Sequence, residues 1–151
     1  MTARLLILNG PNLNRLGKRE PAIYGTDTLD QIRQRCEAHA ATLGASVDFR
    51  QSNFEGDLVE SIHEACDGGF DAIVINPAGY SFTSIAILDA LKQFDGPKLE
   101  VHLSNIHTRE AIYHHSLVSK TATAVIAGLG AQGYIYAVDA AAHLLAKRAA
   151  A

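Results

Sequence analysis

Residues 18–25 read KREPAIYG, placing two cations, a proline, a tyrosine and a glycine between the first apolar run and the first helical pattern. A tyrosine phenol titrates at about 10, so roughly one in a thousand is phenolate at neutral pH. A guanidinium near the ring oxygen favours the anion, and a phenolate is a competent general base. Arg19 shares this stretch with Tyr24, and Arg109 lies five residues beyond a later apolar run, KLEVHLS (98–104). In that run, period-two alternation puts Leu99, Val101 and Leu103 on one face and Glu100, His102 and Ser104 on the other. Such polar groups on one face of an internal strand are costly unless paired. A carboxylate beside a histidine also fixes its tautomer and favours its protonated form, as a proton donor requires. Tyrosine base, histidine acid and amide donors for a developing oxyanion amount to proton abstraction next to a carbonyl.

The elements that must position these groups are legible in the apolar pattern. ARLLILN (3–9) is a continuous apolar run, as expected of a strand buried on both faces. Thr28 and Gln31 form a capping box ahead of a helix carrying Leu29, Ile32, Cys36 and Leu43 and ended by Gly44. SVDFRQ (46–51) is a less apolar strand, expected near an edge. Leu58, Ile62, Ala65 and Cys66 mark a helix stopped by Gly68-Gly69. DAIVINP (71–77), KLEVHLS and ATAVIAG (122–128) are further strands. A helix with Ile85, Leu88 and Leu91, a short helical segment near 109–115 and an alanine-rich final helix complete the chain. Five strands alternating with helical segments predict an α/β, flavodoxin-like open sheet, all parallel, of order 2-1-3-4-5 with helices on both faces. Ligands bind such sheets outside the carboxyl ends of the strands, where the order reverses. Asn9, Asn12, Asn14 and Asn76 belong to that rim, Asn9 and Asn14 reading as turn residues. The stretch from Asn9 to Thr28 has no periodicity and reads as a lid, with Gly17 and Gly25 as hinges.

The 151 residues predict one domain, with 48% hydrophobic and 19% charged residues. A net charge of −3 and no basic run argue against nucleic-acid binding. No apolar stretch is long enough to span a bilayer, and the first ten residues read as a strand and not as a signal peptide. Cys36 and Cys66 read as reduced, buried thiols, and a cytoplasmic location is expected. GLGAQG (128–133) matches a dinucleotide fingerprint, but no strand with an acidic residue follows it, so the glycines read as packing devices. A phosphoacceptor receiver would need aspartates where Asn9 and Asn76 stand. His107, His114 and His115 lack metal-ligand spacing, so neither metal nor cofactor is expected.

The motifs LNGPNLNRLGKREPAIYG (8–25), EVHLSNIHTRE (100–110) and GLGAQGY (128–134), with the looser INPAGYSFTS (75–84), closely resemble type II 3-dehydroquinate dehydratases over about residues 4–145. The resemblance implies a homododecamer of four trimers. It also implies metal-free anti elimination of water from 3-dehydroquinate through an enolate, in the shikimate or quinate pathway. Carried over residue by residue, Tyr24 is the base and Arg19 activates it. Asn12 holds a water or the enolate oxygen. His102, oriented by Glu100, protonates the leaving hydroxyl, and Arg109 supports Tyr24 and the lid. Asn76 and the Leu103–Ser104 backbone hold substrate, with its carboxylate on the latter. Three positions depart from the family's usual pattern. Phe82 stands for a substrate-binding histidine and Tyr113 for a substrate-binding arginine. Leu88 replaces an arginine beside Asp89, which remains although its usual partner across a subunit contact is gone. The departures leave open a lyase acting on a different ring carboxylate.

Overall fold

The computed structural model describes residues 2–18 and 20–151. Five strands form one parallel sheet: β1 (Ala3–Asn9), β2 (Ala45–Gln51), β3 (Ala72–Asn76), β4 (Lys98–His102) and β5 (Ala124–Ala127), in the order β2-β1-β3-β4-β5. The predicted order is the observed one. The less apolar β2 takes an edge, as its composition required.

Alternation along β1 divides the core in two. Leu5 and Ile7 face helices α2 (Leu29–Thr42) and α5 (Gln132–Ala149), packing with Ile32, Cys36, Val101, Tyr134 and Val138. Leu6 and Leu8 face α3 (Glu55–Glu64) and α4 (Ile85–Lys92), packing with Leu58, Ile62, Ile75, Ile87 and Leu91. Each such side chain, fully removed from water, contributes about 1.5–3 kcal/mol. The helix α2 starts as predicted: Gln31 N donates to Thr28 Oγ1 at 3.2 Å and Thr28 N to Gln31 Oε1 at 2.9 Å. Gly133 packs its Cα side against Ile126 and Val101 at the start of α5, which gives the second half of the glycine-rich motif the packing role expected of it.

Several local expectations are corrected. The stretch from Asn9 to Thr28 contains a 3-10 turn at Leu13–Arg15 and one helical turn, α1 (Pro21–Tyr24). Pro21 supplies a ready-made helical φ at the first position, and Gly25, at φ 85°, ends the turn in a conformation that favours glycine. Strand β4 stops at His102, so Leu103 and Ser104 lie in the following loop. In place of one helical segment near 109–115 there are separate 3-10 turns at Ile106–Thr108, Ala111–Tyr113 and Val118–Lys120. Leu43 lies beyond the end of α2 and is exposed, and Cys66 is half-buried in a wide turn after α3. Cys36 is buried, and burial pushes its thiol up to about 12.

A buried polar bridge ties three elements together. Asn9 and Asn76 are neighbours in register on β1 and β3 and point to the α5 side. The fully buried Tyr134 hydroxyl donates to Asn9 Oδ1 at 2.7 Å and accepts from Asn76 Nδ2 at 2.8 Å. Burial raises the Tyr134 phenol, which keeps its proton for Asn9. Removing the hydroxyl leaves two buried amides without their partner, each costing about 1–3 kcal/mol. Tyr134→Phe is therefore expected to lower unfolding free energy by about 2–4 kcal/mol in urea titrations; a change under about 0.5 kcal/mol would show that the amides re-pair locally.

Candidate active site

The sheet order reverses between β1 and β3, and the carboxyl ends of those strands form the crevice that the parallel topology makes available to a ligand. The turns that follow them run almost in contact. A Cβ on Gly10 would lie 2.3 Å from the carbonyl oxygen of Pro77, so only glycine fits there. Gly10 N donates to the Asn76 carbonyl at 2.8 Å, fixing one turn on the other.

A cavity of about 260 Å³ opens beside these turns. Four segments build it. The turn after β1 contributes Asn12 and Leu13, and α1 contributes Tyr24. The turn after β3 contributes Asn76, Ala78 and Phe82. The end of β4 and its loop contribute His102, Leu103, Ser104, Ile106, Arg109 and Tyr113. Such a volume suits a single substituted ring and is too small for a dinucleotide.

The wall of β4 is the most constrained. Glu100 and His102 point to the α4 side, and both are buried. His102 Nε2 donates to Glu100 Oε2, and Ser119 Oγ donates to Glu100 Oε1 at 2.7 Å. Burial alone would raise the Glu100 carboxyl. The hydrogen bonds from His102 and Ser119 outweigh it and hold the carboxyl below its ordinary range. Glu100 thus stays ionised, and His102 keeps one ring nitrogen committed to it.

On the opposite side, the Arg109 guanidinium lies over the Tyr24 ring, with Cζ 5.3 Å from the centroid. Arg109 also stacks on Tyr113, at 4.0 Å. The Phe82 ring lies 6.4 Å from that of His102, tilted 25°, and meets Tyr113 edge-on at 5.4 Å. Asn12 sits at φ 70°, with its backbone N–H donating to Asn53 Oδ1 at 3.0 Å. A tyrosine beside a guanidinium, a carboxylate-backed histidine and amide groups around one small cavity can remove a proton from carbon and deliver another to a leaving oxygen.

Nine of the residues singled out from sequence line this cavity: Asn12, Tyr24, Asn76, Phe82, His102, Leu103, Ser104, Arg109 and Tyr113. Glu100 lies behind His102. Asp89 is exposed on α4, away from the cavity lining of this chain. Arg19 lies outside the described residues. Asn9 does not reach the cavity, and Asn14 is exposed, in keeping with their reading as structural. Two polar partners of the site's framework escaped sequence reasoning. Ser119 follows Glu100 by nineteen positions in a stretch without periodicity, which carries no signal of the contact. Tyr134 closes the GLGAQGY motif, yet only the fold brings its hydroxyl to Asn9 and Asn76.

The Glu100 pairing has a consequence for stability against pH. Its folded-state carboxyl titrates below the ordinary 4.5. Its contribution is therefore complete above about 4.5 and is lost as the pH falls through the lower, folded value. Unfolding free energy of the wild type should fall with acidification in this window more steeply than that of Glu100→Gln. Parallel slopes in denaturant titrations between pH 6 and about 3 would refute it.

Comparison with known proteins places the chain in a family. A family model described as dehydroquinase class II matches residues 3–142. A 3-dehydroquinate dehydratase of Streptomyces coelicolor is 56% identical, over 94% of this chain and 90% of its own length. A catabolic 3-dehydroquinase 1 of Fusarium vanettenii is 54% identical, over 93% of this chain and 97% of its own. A crystal structure of a type II dehydroquinase from Propionibacterium acnes superposes with a TM-score of 0.91 at 48% identity, over 95% of this chain and 98% of that one. With a family model spanning nearly its whole length and a sheet and helices that superpose on a solved member, this chain belongs to the class II dehydroquinase family.

Proposed function

We propose that this chain is a hydro-lyase that converts 3-dehydroquinate to 3-dehydroshikimate by anti elimination of water. The observation that carries the reading is that one small cavity is lined by Tyr24, Arg109 and a Glu100-backed His102. The names of the relatives support the substrate.

In this reading the substrate carboxylate sits on the backbone N–H groups of Leu103 and Ser104, and Asn76 contacts the ring. Tyr24, ionised with the help of Arg109 and of the Arg19 that the family resemblance assigns to this task, takes the proton from the carbon next to the ketone. The C–H electron pair moves into the ring as an enolate, whose oxygen is met by Asn12 or a water on it. The enolate then collapses, the C–O bond breaks, and His102 gives its proton to the departing hydroxyl, so that water leaves. Glu100 holds the imidazole in place and offsets its charge before transfer. The steps need no metal and no redox cofactor. The family resemblance extends the proposal to a homododecamer of four trimers. Exposed Phe54, Ile85 and Ile112 give this chain apolar surface for such contacts.

Turnover is followed by the absorbance of the conjugated enone product. Tyr24→Phe and Arg19→Ala should each lower kcat by at least about a hundredfold, the scale for losing a general base or its activation. Circular dichroism should show an unchanged fold. Near-wild-type kcat in Tyr24→Phe would remove Tyr24 from the chemistry.

One observation favours a second reading, a lyase acting on a ring carboxylate with fewer hydroxyls. The Phe82 ring lines the cavity and offers no hydrogen bond. A substrate hydroxyl buried against it loses water without replacement, at about 1–3 kcal/mol. If that loss limits binding, Phe82→His should raise kcat/KM for 3-dehydroquinate by about tenfold or more. An unchanged or lower value would leave the first reading alone.

A further inference from the structure

We infer that Tyr113 is a positioning residue: its ring face holds the Arg109 guanidinium against the ring of Tyr24. The inference rests on the proposed role of Tyr24 as the base.

Arg109 lies between two aromatic rings, with Cζ 4.0 Å from the Tyr113 centroid and 5.3 Å from that of Tyr24. Both distances fall inside the range in which a cation is attracted to a ring face, and the planar guanidinium is well suited to stacking. Among the described residues, no carboxylate pairs with Arg109. A long side chain without an ion pair samples several rotamers unless its neighbours restrict it. Here the restriction comes from ring faces. Unlike an acidic partner, they orient the guanidinium without neutralising its charge, which stays available to a phenolate.

Tyr113 is itself braced. Phe82 meets it edge-on at 5.4 Å and 73°, a favoured aromatic geometry. The backbone under Arg109 is fixed as well, because His114 Nε2 donates to its carbonyl oxygen at 2.5 Å. Phe82 also faces the His102 ring. A contiguous set of side chains thus runs from the histidine on β4 to the tyrosine on α1. The role assigned to Tyr113 here is carried by its ring and not by its hydroxyl.

The test compares Tyr113→Phe, which keeps the ring, with Tyr113→Leu and Tyr113→Met, which do not. Each is assayed for kcat and KM with 3-dehydroquinate. In parallel, the reaction of Arg109 with phenylglyoxal is timed by peptide mass spectrometry, relative to the exposed Arg35. Loss of the ring should lower kcat about tenfold, the scale of a partly desolvated cation–π contact. KM should stay within about threefold, and Arg109 should be modified several times faster. Tyr113→Phe should stay within about twofold of wild type in every measurement. Three results would overturn the inference: a Tyr113→Phe loss as large as that of Tyr113→Leu, losses confined to KM, or Arg109 reactivity that does not depend on the ring. Wild-type protein inert towards 3-dehydroquinate would instead defeat the proposed function, while the phenylglyoxal comparison still decides whether Tyr113 holds Arg109.

Discussion

The architecture turns on one costly requirement, an ionised carboxylate buried inside a parallel sheet. Glu100 sits on β4 with Ile75 in register on one side and Val125 on the other, and no solvent reaches it. A carboxylate in that position is tolerated only with its oxygens satisfied. The next side chain on the same face, His102, satisfies one oxygen, and Ser119 from the 3-10 turn beyond satisfies the other. That demand explains why the chain after β4 folds back in short tight turns and not in one helix: the turn at Val118–Lys120 has to bring a hydroxyl over the sheet while Val118 fills the core beneath α4.

The opposite face of the sheet meets a similar demand with neutral groups. Asn9 and Asn76 mark the carboxyl ends of β1 and β3 and share Tyr134. The two polar clusters point to opposite faces of one sheet, so neither competes with the other for partners. Together they make the carboxyl rim stiff where the strand order reverses. Asn76 belongs to both the scaffold and the cavity, since its side chain is committed to Tyr134 and to Ala78 N while it still lines the wall. The residues held by this rim, His102 above all, have little freedom. The tyrosine side is built differently, from a single helical turn and aromatic stacking, with Arg109 as the link between them. A rigid histidine thus faces a tyrosine carried on a short surface turn, across one small cavity.

Much of this was legible in the amino-acid pattern. Continuous apolar runs bounded by turn residues identify buried parallel strands, because a strand covered on both faces has no polar side to show. The capping box at Thr28 and Gln31 locates a helix start, because both side chains act within one turn of chain. Glu100 and His102 advertise their pairing for the same reason: two residues apart on a strand, they share a face whatever the rest of the fold does. What depends on short range can be read from short range. The helical turn at Pro21–Tyr24 is local too, but four residues are too few to show a period. The exposure of Leu43 and the early end of β4 follow from where α2 and the sheet stop, and no periodicity marks a stop.

Only the tertiary structure decided the contacts made across long loops. Ser119 reaches Glu100, Tyr134 reaches Asn9 across 125 positions, Tyr113 meets Phe82 and Arg109 meets Tyr24, because parallel crossovers return each segment to the same edge of the sheet. The sequence by itself determined which residues carry charge and protons, which strands must be buried and where the sheet must reverse. It did not determine which hydroxyl answers a buried carboxylate or which ring lies under a guanidinium. Those pairings are set by the distance between chain segments after packing, a quantity that local spacing does not contain.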